Sequence, residues 1–192
     1  FDGFTMTQIS DIHSGSFDNK NKISYAVDLI NQQDSDAIFF TGDLVNNVAD
    51  EMDDWKELFS NLSAKEGVFS VLGNHDYGDY IRWNSEEEKL KNLNKLKKIQ
   101  SEMGWNLLLN ENFYLKRKNQ KIAIVGVENW GENGFKQAGD LDAACKNINN
   151  SDFKVLLSHD PSHWKSRVKN DDRNFQLTLS GHTHGMQFGI EI

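Results

Sequence analysis

A layered α/β domain is the fold class this sequence predicts, and three observations carry that reading. Short apolar runs of strand character alternate with longer stretches at helical spacing through the first half of the chain. The second half is richer in strand-like runs. With 192 residues, 38% hydrophobic and 26% charged, the chain has enough apolar side chain for one sizeable core, which excludes the disordered and fibrous classes. Strands and helices in that order pack as helices laid on the faces of sheets.

Strand-like runs fall at residues 4–9, 37–40, 68–72, 122–127, 155–157 and 177–179, each ending in a polar or glycine-containing cluster. Ile23, Val27 and Ile30 repeat at near-helical spacing, as do Trp55, Leu58 and Phe59. A long helix is expected to begin at Ser85, because Ser85-Glu86-Glu87-Glu88 has capping-box form. Leu90, Leu93, Leu96, Ile99 and Met103 then line one face, and Gly104 is the stop. Residues 113–116 and 121–125 flank the polar Lys118-Asn119-Gln120 and read as a hairpin. Trp55, Phe59 and Trp105 are expected in the core, and His163, after Pro161, reads as a surface histidine on a helix.

Charge narrows the partners. The chain carries 21 Lys+Arg against 29 Asp+Glu, so no basic field draws a polyanion, and neither nucleic acid nor an anionic membrane is an expected partner. A single cysteine, Cys145, excludes an intrachain disulfide. No run approaches the ~18 apolar residues of a membrane span, and the opening residues lack a signal-peptide pattern. The chain opens almost directly on a strand-like run and closes on Gly189-Ile190-Glu191-Ile192, which reads as mid-strand. The expectation is one catalytic domain over residues 1–192 of a longer protein, with further strands after its end. Such a domain would be soluble, in the cytoplasm or at a membrane through a tether outside this chain.

The chemistry collects after the strands. Of six histidines, five follow such runs: His13 in Ser10-Asp11-Ile12-His13, His75 in Gly73-Asn74-His75-Asp76, His159 in Ser158-His159-Asp160, and His182 and His184 in Gly181-His182-Thr183-His184. Asp43 follows another, in Gly42-Asp43-Leu44-Val45-Asn46. Loops beyond strand ends are where an open α/β sheet places its ligand. Each cluster also has a plainer reading. Asp11 suits a turn, Asp43 a helix N-cap, and Gly73-Asn74 a tight turn needing φ > 0. Gly-His-Thr-His is less plain, since alternate residues of an extended segment point the same way.

Taken in order, this set resembles the calcineurin-like metallophosphoesterase superfamily, whose signature is Asp-x-His, Gly-Asp-x-x-Asn, Gly-Asn-His-(Asp/Glu), a later His and Gly-His-x-His. Every element is present between Asp11 and His184. The longer strings, Gln8-Ile9-Ser10-Asp11-Ile12-His13-Ser14-Gly15 among them, are similar to the bacterial branch of YkuE- and YaeI-type phosphodiesterases and UDP-2,3-diacylglucosamine hydrolases. That branch carries Gly-Gly-Gln after the last motif, where this chain has Gly185-Met186-Gln187.

The resemblance implies a four-layer αββα sandwich, two mixed sheets flanked by helices, with two divalent metal ions at the strand ends. Asp11, His13 and His184 would hold the first ion and Asn74, His159 and His182 the second, with Asp43 bridging. Nitrogen and oxygen donors without thiolate suit Mn, Fe or Zn. The implied reaction is hydrolysis of a phosphate ester, more specifically a phosphodiester, by a metal-bridging hydroxide whose pKa the pair lowers toward ~7. His75 would serve as general acid, with Asp76 fixing its tautomer. Asn46 would order the loop around Asp43, and Asp160 would orient His159 or serve only the turn. The substrate could be lipid- or envelope-derived, with Tyr77, Tyr80, Trp83 and Trp130 near the rim; Tyr77 and Trp130 are the candidate substrate contacts. A phosphomonoesterase, a nucleotide-sugar-lipid pyrophosphate hydrolase and a metal-binding scaffold without turnover are the alternatives.

Overall fold

A computed structural model of the protein describes residues 1–184. The Gly185-Met186-Gln187 departure and the mid-strand reading of residues 189–192 lie outside the described residues. Strands β1 (Met6–Ile9), β2 (Ala37–Phe40), β3 (Val68–Ser70) and β4 (Asn106–Leu107) form one sheet in that order, parallel throughout. Strands β5 (Glu111–Arg117), β6 (Gln120–Gly126), β7 (Phe153–Leu157) and β8 (Leu177–Leu179) form the other. In it β5 and β6 make an antiparallel hairpin, while β6, β7 and β8 run parallel. Five α-helices accompany them among the described residues: α1 (Lys20–Asn31), α2 (Lys56–Phe59), α3 (Glu86–Glu102), α4 (Leu141–Ala144) and α5 (Ser162–Ser166). The two-residue strand β4 was not predicted, since so short a run shows no period.

The layering follows from side-chain alternation along the strands. Ala37 and Phe39 of β2 meet Ile122, Ile124, Val155 and Leu157 between the sheets. The intervening Ile38 and Phe40 face the other way, onto Val27 of α1 and Leu96 and Ile99 of α3. On the outer face of the second sheet, Ala123, Val125 and Leu156 pack on Leu141 and Ala144 of α4. The four-layer sandwich is therefore observed, and Trp55, Phe59 and Trp105 lie in its first core as expected.

Helix α3 departs from its expected form in two ways. Ser85 Oγ does accept the Glu88 N–H at 3.2 Å, but the Glu88 carboxylate takes Asn84 Nδ2 at 2.9 Å, so the reciprocal half of a capping box is not made. Leu90 is 56% exposed, and Asn92 is the buried residue instead. Its Oδ1 accepts the Ala49 N–H at 2.7 Å, satisfying a backbone donor that a leucine would leave orphaned.

One carboxylate ties the two sheets together. Asp36, just before β2, accepts the Thr5 N–H at 2.8 Å and Arg117 Nη2 of β5 at 2.7 Å. The Thr5 backbone bond first, and the Arg117 guanidinium second, hold its carboxyl down to about 2. A carboxylate with a depressed native pKa stabilises the fold above its unfolded value, ~3.9, and that contribution is lost as pH falls toward the native value. Asp36→Asn should therefore lower the melting temperature at pH 7 and shrink the gap to wild type as pH falls from ~4 toward ~2. A gap that stays constant across that window would show that the pin does not hold the fold.

Candidate metal centre

Because β1, β2, β3, β7 and β8 run parallel within their sheets, their C-terminal ends share one edge of the sandwich. Asp11 and His13 follow β1, Asp43 follows β2, Asn74 and His75 follow β3, His159 follows β7, and His182 and His184 follow β8. Backbone bonds join these loops: Asp11 N–H to Gly42 O at 3.0 Å, His13 N–H to Asp43 O at 3.1 Å, and Gly181 N–H to His159 O at 3.0 Å.

The loops are held in strained backbone. Asp11 (φ 53°), His13 (47°), Asp43 (61°), His182 (71°) and His184 (53°) all lie in the left-handed region. Such residues cost on the order of 1–3 kcal/mol each and persist only where the surroundings over-determine them. Gly-His-Thr-His is therefore a turn and not an extended segment, and a turn directs both imidazoles inward. Gly73 and Gly181 are required for space: a Cβ on Gly73 would sit 2.2 Å from Asp43 Oδ1, and one on Gly181 1.9 Å from Ser10 Oγ. Gly73-Asn74 thus serves close approach, not the positive φ of a tight turn.

The donor atoms converge in two halves. In one, His13 Nε2 lies 3.2 Å from His184 Nε2, which is 3.5 Å from Asp11 Oδ1. In the other, Asn74 Oδ1 lies 3.1 Å from His159 Nε2 and 2.9 Å from His182 Nδ1. Between them, Asp43 Oδ2 is 3.1 Å from His159 Nε2 and 3.7 Å from His13 Nε2. Asp11, His13 and His184 place one ligand atom each within 4.8 Å of one another, as do Asp43, His159 and His182.

Electrostatics make this set ready for cations. Burial disfavours the charged form of His13, and His75 and His184 add to that against the pull of Asp43, so the ring is held neutral. Burial and His159 do the same to His182. Asp43 stays ionised although burial opposes it, because His159 bonds its carboxylate. His159 itself is raised, burial being outweighed by Asp43. Its Nδ1 donates to the Thr41 carbonyl at 2.7 Å, so Nε2 is the nitrogen turned toward Asp43 Oδ2 and Asn74 Oδ1, where it can carry a proton or give its lone pair to a cation. Acceptors facing acceptors in a buried pocket need a proton or a cation between them. Imidazole nitrogens and hard oxygens without a thiolate fit Mn²⁺, Fe or Zn²⁺.

Several neighbours take roles other than those expected. Asp76 does not reach His75. It is fully buried and accepts four backbone N–H groups: Asp43 at 3.0 Å and Gly73 at 2.9 Å on Oδ2, Leu44 at 2.8 Å and Val45 at 3.3 Å on Oδ1. It staples the Asp43 loop to the Gly73 turn. His75 Nδ1 instead donates to the Asn46 carbonyl at 2.7 Å, which leaves Nε2 facing Asp43 and His13. Asn46 thus acts through its backbone, while its Nδ2 reaches Ser16 Oγ at 3.0 Å. Glu51, which sequence reasoning missed, orders this loop by accepting the N–H groups of Asn46, Asn47 and Val48 at 2.6–3.0 Å. Asp160 bonds Ser162 and Glu132 N–H groups and so serves the turn.

The rim residues also sort differently. Tyr77 is buried and its hydroxyl donates to Glu128 at 2.9 Å, so it packs the loops and does not face solvent as a substrate contact. Trp130 stacks on His163 at 4.0 Å with rings 13° apart. His163 is consequently fully buried, its Nδ1 2.9 Å from Ser158 Oγ, and burial pushes it down to about 4. The surface position predicted for it was wrong, because the covering Trp130 comes from a distant loop. Two aromatics touch the centre: the Tyr80 ring lies 4.4 Å from that of His75 and its oxygen accepts Asn74 Nδ2 at 2.7 Å, while the Phe135 ring meets His182 edge-on at 4.8 Å.

Fold and donor set together define a metal-dependent phosphoesterase domain. The calcineurin-like phosphoesterase family matches residues 4–186, and the chain belongs to that family. A metallophosphoesterase of Helicobacter pylori (strain ATCC 700392 / 26695) is 30% identical over 179 residues, covering 93% of this chain and 44% of that protein. Metallophosphoesterase YkuE of Bacillus subtilis is 27% identical over 197 residues, covering 99% of this chain and 61% of YkuE. The chain thus spans about half the length of such relatives. Among solved structures, phosphopantetheinyl hydrolase from Mycobacterium tuberculosis superposes with a TM-score of 0.58 over 94% of this chain and 83% of its own, at 16% identity, a likeness of fold. No helix among the described residues is long and apolar enough to cross a membrane.

Proposed function

We propose that this domain hydrolyses phosphodiesters with two divalent cations, one held by Asp11, His13 and His184, the other by Asn74, His159 and His182, and both by Asp43. The observation that carries the reading is the placing of Asp43 Oδ2 between His159 Nε2 at 3.1 Å and His13 Nε2 at 3.7 Å. Bound there, the cations would supply an acidified water as nucleophile and positive charge for the phosphoryl oxygens. The chain's own work is to hold the reacting groups. The Asn46 carbonyl fixes the Nδ1–H tautomer of His75, so a proton carried on Nε2 can pass to the leaving alkoxide. Asp76 keeps Asp43 and Asn74 in register through the backbone. The neutral rings of His13 and His182 keep their lone pairs for the ions. The preference for diesters, with lipid- or envelope-derived esters as the class, rests on the resemblance of the motif strings to the YkuE branch. The test is hydrolysis of bis-p-nitrophenyl phosphate and p-nitrophenyl phosphate by protein stripped with chelator and then reloaded with Mn²⁺. Metal-restored cleavage of the diester, faster than of the monoester, is the expected result. Faster monoester cleavage overturns the diester preference, and metal-independent cleavage of both overturns the mechanism.

A further inference from the structure

Resting on that two-ion reading, we infer that Tyr80 is a positioning residue for the second ion: its oxygen is the acceptor that lets the Asn74 carboxamide turn Oδ1 inward. The argument is one of donors and acceptors. Asn74 is 2% exposed, so each of its amide N–H groups must find a partner within the protein. The ligating end is Oδ1, which lies between His159 Nε2 and His182 Nδ1. In that orientation Nδ2 points away from the centre, where Tyr80 supplies an oxygen at 2.7 Å. Flipped, Nδ2 would take the place of Oδ1 against His159 Nε2 and His182 Nδ1. The flipped amide presents no oxygen to an ion. Tyr80 is what gives the ligating orientation a partner for Nδ2. Tyr80 is 48% exposed and its ring rests on His75, so the same side chain joins the second ion's ligand to the candidate acid.

The hydroxyl can be removed without disturbing the ring. Chelator-stripped Tyr80→Phe and wild-type protein would be titrated with Mn²⁺ against a competing chelator, and both steps fitted. The second binding step should weaken about 10-fold, at the lower end of what loss of an outer partner to a metal ligand costs. The first step and the metal-free melting temperature should not change. Asn74→Ala identifies the affected step, and in that background Tyr80→Phe should have no further effect, because the two act as one unit. Wild-type affinities in Tyr80→Phe overturn the inference, and so does equal weakening of both steps, which would mark a merely structural residue. A wild-type protein that binds fewer than two ions overturns the two-ion reading itself, and this inference with it.

Discussion

Asp76→Asn should lower the melting temperature, abolish binding of the ion pair and remove hydrolysis together. The carboxylate accepts from Asp43 and Gly73 on one oxygen and from Leu44 and Val45 on the other. Asparagine replaces one oxygen with a group that donates, so two buried N–H groups face another donor. Leaving a buried donor unpaired costs about 1–3 kcal/mol each. Relief works the other way, because burial and the nearby Asp43 charge push the Asp76 carboxyl up against its backbone bonds. The net loss should be about 2–4 kcal/mol, a large share of the ~5–15 kcal/mol that holds a domain folded. The functional loss follows from position. The same bonds hold Asp43 at φ 61° and set Gly73 against it, so the bridging carboxylate and the Asn74 turn would relax apart. Thermal denaturation with metal stoichiometry checks this. If Asp76 merely tuned His75, as the sequence implied, the variant would keep its melting temperature and both ions.

How far the sequence reveals this arrangement depends on which part of a residue does the work. Strands such as 37–40 were legible because every residue is buried, with alternate side chains on the two faces of one sheet. The residues that gather at the centre were legible because their types and order form a pattern, and their convergence follows from parallel strands sharing an edge. Asp76 was misread because a carboxylate next to His75 in sequence can turn either to the imidazole or to the backbone, and only the fold of the Asp43 loop supplies the four N–H groups. The partner of His75 was invisible for a related reason: it is a peptide carbonyl, and Asn46 advertises only its amide. His163 was misplaced because a helical histidine next to exposed Trp164 gives no sign that Trp130 will cover it. The left-handed backbone at Asp11, His13, Asp43, His182 and His184 was equally hidden, since these residues carry no glycine signal of their own. Function is concentrated where local preference is overridden, which is where reading by propensity must fail.

His75→Ala should lower kcat for an alkyl phosphodiester by about 10²–10⁴ while leaving both ions and the melting temperature in place. The ring sits edge-on to His13 at 4.7 Å and its Nε2 faces the centre, so it is placed to meet the oxygen that departs. Among the described residues its side chain hydrogen-bonds the Asn46 carbonyl, a single part-buried loop contact whose loss should cost little stability. The leaving group decides how much the acid matters. An alkoxide needs a proton in the transition state, whereas p-nitrophenolate departs without one, so the bis-p-nitrophenyl ester should lose far less rate than the alkyl ester. That contrast separates the acid from a rival role visible in the geometry. His75, His13 and Asp43 also bring ligand atoms within 4.8 Å of one another, as a third group of metal donors would. A ligand lost to alanine would reduce the number of ions bound and slow both esters alike. Equal slowing with loss of an ion would therefore make His75 a ligand, and an unslowed alkyl ester would remove it from the chemistry altogether.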